Sequence, residues 1–185
     1  IKKSEDNKNY KVFAVVAPSI SSQFNYAGLG HVIAGIHKLG FYHVVEAALG
    51  ADMVADAEAL ELAEKGFLTS SCCPAFVEYI KKQFPDMLQH VSHNLSPMAT
   101  IAKYIKQTTP GAKIVFIGPC TAKKMEYQLE TVSPWIDSVI TFEELQALFD
   151  SRDLDITTLE EEVMDNASYY GRIFARSGGL SDAVA

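Results

Sequence analysis

Short apolar runs rich in β-branched residues alternate along this chain with longer stretches whose apolar positions recur every three or four residues. Residues 12–17 form a near-continuous apolar run, as expected of a strand buried on both faces. In residues 29–39, Val32, Ile33, Ile36 and Leu39 fall at helical spacing, and Gly40 stops the pattern. Residues 43–47 read as a second strand, and the spacing predicts a helix over residues 51–65, with Asp52 near its start and Gly66 just past its end. Residues 67–70 read as a third short strand running into two adjacent cysteines. Pro74 suits a first helical turn, and Phe76, Val77, Ile80 and Phe84 make one apolar stripe behind it. Ser96-Pro97 opens another helix, with Met98, Ile101, Ala102 and Ile105 facing inward. Residues 113–117 read as a fourth strand and 138–140 as a fifth. Thr141 followed three residues later by Glu144 is a capping-box signature for the next helix. Such alternation predicts an α/β fold in three layers, a largely parallel sheet with helices on both faces. The polar residues 1–10 read as a linker or frayed tail, and 11–185 as the folded unit.

Composition narrows the class. A chain of 185 residues is one domain or slightly more, long enough to bury a proper core. Its net charge of −7 argues against nucleic acid or an anionic membrane surface as a partner. Residues 12–37 carry no Asp, Glu, Lys or Arg, yet Pro18, Ser19, Ser21, Ser22, Gln23 and Asn25 interrupt them, which rules out a membrane span. Six apolar residues after the basic start are too few for the core of a signal peptide. Three cysteines, two of them adjacent, make no disulfide scaffold and point to a reducing, cytoplasmic setting. Nine acidic residues and one basic fall between Glu143 and Asp165, which reads as a solvated helix and loop. The chain starts at Ile1 and is expected to be a piece of a longer protein.

In open parallel sheets, sites form outside the carboxyl ends of the strands. Three of the expected strand ends carry unusual chemistry: Ala17-Pro18-Ser19, Ser70-Ser71-Cys72-Cys73-Pro74 and Gly118-Pro119-Cys120. Neighbouring strands would bring every cysteine to one edge of the sheet, and a position ahead of a helix N-terminus would favour the thiolate. Buried apolar thiols are the plainer alternative for each cysteine alone. Taken together, with prolines at matched positions, they point to a soft-metal or redox site.

The segment Thr69-Ser70-Ser71-Cys72-Cys73-Pro74-Ala75-Phe76 resembles the first signature of the iron-only (FeFe) hydrogenases, Thr-Ser-Cys-Cys-Pro-x-Trp, with one extra serine. Gly118-Pro119-Cys120-Thr121-Ala122-Lys123-Lys124-Met125-Glu126 resembles the second, Met-Pro-Cys-x-x-Lys-x-x-Glu. Further stretches, from Lys38-Leu39-Gly40-Phe41 to Gly171-Arg172-Ile173-Phe174, are similar to that family in the same order, so the likeness runs from about residue 11 to 185.

The resemblance implies the first lobe of a catalytic domain whose 4Fe-4S cubane is bridged to a diiron unit bearing carbonyl and cyanide ligands. By motif, Cys73 and Cys120 would be two of the four cubane ligands, and Cys72 the thiol that hands protons to the diiron centre. Lys123 would hydrogen-bond a cyanide, and Pro18 and Ser19 would wall the same pocket. Glu61, Ser92 and Glu58 match the family's proton relay, which calls for carboxyls raised toward neutrality by burial. Implied partners are hydrogen, protons, and ferredoxin or accessory iron–sulfur domains. Three departures stand out: Gly118 replaces a methionine, Met98 a glutamine and Phe76 the tryptophan. The glycine is similar to what the family's sensory branch carries, where signalling domains adjoin, and is expected to enlarge or loosen the pocket. The third signature, with the remaining two cubane cysteines, does not occur before Ala185, so this chain is expected to be a fragment inactive alone. A relative that assembles iron–sulfur clusters for other proteins is the further alternative.

Overall fold

The computed structural model describes residues 2–164 and 166–185; Ile1 and Asp165, the last residue of the acidic run, lie outside the described residues. Four strands, β1 (Val12–Val16), β2 (His43–Glu46), β3 (Lys113–Gly118) and β4 (Ser138–Thr141), pair in parallel in the order β2-β1-β3-β4. Every residue of β1 is buried, which is why its sequence is apolar without alternation. The helices are α1 (Leu29–Lys38), α2 (Ala47–Lys65), α3 (Pro74–Gln83), α4 (Pro97–Thr108), α5 (Lys123–Glu126), α6 (Phe142–Asp150), α7 (Tyr169–Ile173) and α8 (Gly179–Val184).

The chain leaves β1 for β2 on one side and reaches β3 on the other. Right-handed crossovers therefore place α1 and α4 on opposite faces of the sheet. On the first face α6 joins α1, with the Phe149 ring against Gly35 and the Phe24, Phe142 and Phe149 rings meeting edge to face. On the second face α4 covers β1 and β3 with Met98, Ile101, Ala102 and Ile105, the inward set expected from spacing. An α/β architecture with a parallel sheet and helices on both faces is thus what the chain adopts.

Close helix approach on this second face depends on two glycines of the kind that leave room for a backbone. A Cβ on Gly50 of α2 would come within 2.2 Å of the Pro97 carbonyl oxygen, and one on Gly171 of α7 within 2.1 Å of the Ala48 carbonyl oxygen. Arg172 reinforces the second contact, donating from Nε and Nη2 to the two carboxylate oxygens of buried Glu46, both at 2.7 Å. The C-terminal helices are thereby held against the carboxyl end of β2.

Four expectations change. Residues 67–70 are no strand of the sheet: Thr69 makes one isolated parallel bridge to Val91, donating to His90 O and accepting from Ser92 N, both at 2.7 Å. The loop's backbone is satisfied by the segment that follows α3, so it does not need a sheet edge. Helix α2 begins at Ala47 rather than 51: its first turn is buried, with Ala48 and Gly50 close against α7 and α4. The stripe on α3 is not buried; Phe76 is 37% exposed and Phe84 49%. Finally, the N-terminal segment is tied down: Ser4 is fully buried, and the Asn7 side chain donates to Gly40 O (3.1 Å) and accepts from Val12 N (2.9 Å).

Candidate functional site

Neighbouring strands β1 and β3 are where the strand order reverses, and parallel sheets open a crevice there at their carboxyl ends. A cavity of about 290 Å³ occupies it. Pro18 and Ser19 enter from the turn after β1, Cys120 from the turn after β3, Lys123 from α5, and Cys72 from the loop ahead of α3. Met98 at the start of α4 and Phe174 after α7 complete the apolar wall. Five of the residues singled out from sequence thus meet in one place, although they come from four separate segments.

Cys73 stands beside the cavity rather than on its wall. It is the N-cap of α3, exposed, and its Sγ accepts from Phe76 N at 3.4 Å. All three cysteines are free thiols. Among the described residues, no group of three or more His, Cys, Asp or Glu side chains is gathered closely enough to hold a metal ion. Burial pushes the Cys72 thiol above its ordinary range, helped by Glu58 and Cys73, while a hydrogen bond with Ser70 and the Lys123 charge pull the other way. The upward shift favours the protonated thiol at Cys72, in line with the proton carrier that the resemblance implies.

Lys123 is nearly buried and oriented on both sides. Its Nζ donates to Cys72 O at 2.9 Å and to the buried Glu126 carboxylate at 2.6 Å. An ammonium has three N–H groups, so one remains for the cavity that Lys123 lines. The Lys–x–x–Glu spacing is one helical turn, which is what brings the pair together on so short a helix as α5.

The expected relay residues fall into two clusters. Glu58, only 1% exposed, accepts from the Ser70 hydroxyl at 2.8 Å, and the same hydroxyl accepts from Cys72 N at 3.2 Å. One turn further along α2, Glu61 accepts from Ser92 Oγ (3.1 Å), Asn94 Nδ2 (3.1 Å) and Lys65 Nζ (2.6 Å), and pairs with His93 (2.9 Å). Burial acts to raise its pKa, but the hydrogen bonds from Lys65, Ser92 and His93 outweigh it, and the carboxyl sits below its ordinary value. The expectation of a raised pKa fails at Glu61 for that reason. Among the described residues no hydrogen bond joins Ser92 to Glu58.

Gly118 does not enlarge the cavity as its sequence suggests. The Phe116 ring, two residues back and on the same face of β3, lies over it: a Cβ at 118 would meet Phe116 Cε1 at 2.6 Å and Ala17 Cβ at 3.3 Å. Sequence reasoning assigned no role to Ser70, Asn94, Glu126 or Phe116. Glu126, at helical spacing from Lys123, and Phe116, two residues from Gly118, left a local signal; Ser70 and Asn94 act on Glu58 and Glu61, 12 and 33 residues away.

Residues 10–185 match the family described as iron only hydrogenase large subunit, C-terminal domain, and the chain belongs to that family. It is 28% identical to iron hydrogenase 1 of Clostridium pasteurianum over 94% of its own length and 35% of that protein. It is also 35% identical to the cytosolic Fe-S cluster assembly factor NAR1 of Botryotinia fuckeliana, over 65% of this chain and 25% of the relative. Among solved structures, FeFe-hydrogenase HydA1 from Chlamydomonas reinhardtii superposes with a TM-score of 0.75 at 26% identity, covering 88% of this chain and 48% of that one. The chain therefore spans about a quarter to a half of the length of such relatives, which include both hydrogenases and assembly factors. No helix among the described residues is long and apolar enough to cross a membrane.

Proposed function

We propose that this chain is the first lobe of an iron-only hydrogenase catalytic domain, working within a longer polypeptide that supplies two further thiolates. The observation that carries this reading is the convergence of Pro18, Ser19, Cys72, Cys120 and Lys123 on one cavity at the β1–β3 crevice, with buried Glu58 behind Cys72. The donor set fits the implied group as far as it goes: soft thiols at Cys73 and Cys120, an apolar wall, and one cation inside it. Cys73 and Cys120 would hold two corners of a 4Fe-4S cubane, with the diiron carbonyl and cyanide unit in the cavity. When bound, that group supplies the two-electron redox chemistry that interconverts H2 with two protons and two electrons.

The chain's own residues do the rest. Lys123 offers its remaining N–H to an anionic ligand atom, held in place by Cys72 O and Glu126. Pro18, Met98, Phe116 and Phe174 present an apolar wall to that ligand. Cys72 holds a proton at Sγ, the Ser70 hydroxyl bridges toward the Glu58 carboxyl, and the Glu61–Ser92 cluster forms the outer station. Electrons would pass to ferredoxin or accessory iron–sulfur domains, in the cytoplasm, where three free thiols stay reduced.

Similarity to NAR1 favours a second reading, an iron–sulfur assembly factor that needs the cubane donors but not the relay. Gly118 favours a third, a hydrogen or redox sensory domain. Hydrogen evolution by the matured, full-length protein separates them. The hydrogenase reading expects turnover that falls by about a hundredfold or more in Cys72→Ser and Glu58→Gln, the size of a lost general acid–base step. No turnover in the wild type would overturn it in favour of assembly, and turnover far below that of the related hydrogenases in favour of sensing.

A further inference from the structure

Phe116 and Gly118 lie on one face of β3, two residues apart, with the ring resting on the glycine. A Cβ built at 118 would stand 2.6 Å from Phe116 Cε1 and 3.0 Å from Cζ, closer than real Cβ contacts come. Ala17 Cβ stands on the other side at 3.3 Å, itself a tight contact, so a Cβ at 118 is pressed from both sides. The ring itself is 4% exposed and forms part of the cavity wall with Cys72, Cys120 and Lys123. Its far edge is the part able to move, and the open room beside it is the cavity.

We propose that Phe116 is the specificity-determining residue of this cavity, in a size-matched pair with Gly118 that sets how large a ligand the cavity admits. A bulky residue at 118 swings the ring into the cavity and closes it over Cys72 and Cys120. Loss of the ring joins its space to the cavity, leaving an apolar void of the kind that takes up a benzene-sized guest. Residues 116 and 118 therefore exchange volume, and the site selects a compact ligand with an apolar surface against the ring face. This deepens the hydrogenase reading and rests on the same cavity, yet its test needs neither cofactor nor turnover.

The test is alkylation of the reduced chain by iodoacetamide and by a bulky maleimide, with each cysteine followed by peptide mass spectrometry and exposed Cys73 as the internal reference. Gly118→Met is expected to slow labelling of Cys72 and Cys120 by roughly tenfold, a size typical of coupling between residues in contact. Phe116→Ala is expected to speed labelling by the bulky reagent more than by the small one. The double variant Phe116→Ala/Gly118→Met is expected to return to the wild-type rates. A double variant that labels as slowly as Gly118→Met alone would overturn the proposal, as would wild-type rates in Gly118→Met. Should Gly118→Met fail to fold, the reagent-size dependence of Phe116→Ala decides: equal acceleration of both reagents, or none, overturns it. Failure here leaves the hydrogenase reading standing, because hydrogen turnover does not enter the measurement.

Discussion

Glu58 and Glu61 sit one helical turn apart on α2 and meet opposite surroundings. Glu58 is sealed in with a single hydroxyl donor, whereas Glu61 gathers donors from Lys65, Ser92, His93 and Asn94. Because the folded-state pKa of Glu61 is lowered, its contribution to stability is fully present above the unfolded value of about 4.3 and is lost as pH falls through the lowered folded value. Urea midpoints measured between pH 7 and pH 3 should therefore show a shallower acid decline in Glu61→Gln than in the wild type. Parallel curves would mean that Glu61 is not held by its donors. The residues with local motif spacing, namely the cysteines, Lys123 and the two glutamates, were legible in the sequence. Ser70 and Asn94 were not, since their partners lie 12 and 33 residues away and only the fold brings them within reach.

At the scale of elements, periodicity was a sound guide wherever a helix or strand packs on the sheet. α1, β1 and β3 fall within a residue or so of their expected bounds, α4 starts where Ser96-Pro97 places it, and the capping box at Thr141 and Glu144 forms with both reciprocal hydrogen bonds, 3.2 and 2.7 Å. Thr141→Ala should cost about 0.5–2 kcal/mol, read as a fall in thermal midpoint. The sequence was misleading where backbone partners are not regular structure, at residues 67–70, and where small residues rather than large ones make the contact, at the start of α2. Gly50→Ala tests that second point: its methyl would press on the Pro97 carbonyl, and a loss of about 1–3 kcal/mol is expected despite alanine's better helix propensity. A gain in stability would show that α2 and α4 do not approach so closely.

For the whole molecule, the order β2-β1-β3-β4 explains why the chemistry collects where it does. The strand order reverses between β1 and β3, and the two turns leaving them carry Pro18, Ser19 and Cys120. The Cys72–Cys73 loop reaches the same crevice without being a strand of the sheet, held by Val91, Ser92 and Asn94, and Lys123 clamps it from the far side. We propose a division of labour between adjacent cysteines, in which Cys73 and Cys120 would hold iron and Cys72 would not. The deciding measurement is iron and acid-labile sulfide per polypeptide after anaerobic reconstitution of the full-length protein and its single Cys-to-Ser variants. Cys73→Ser and Cys120→Ser should lose most of the wild-type load while Cys72→Ser keeps it. Equal loss in all three, or full loading of Cys73→Ser and Cys120→Ser, would contradict it.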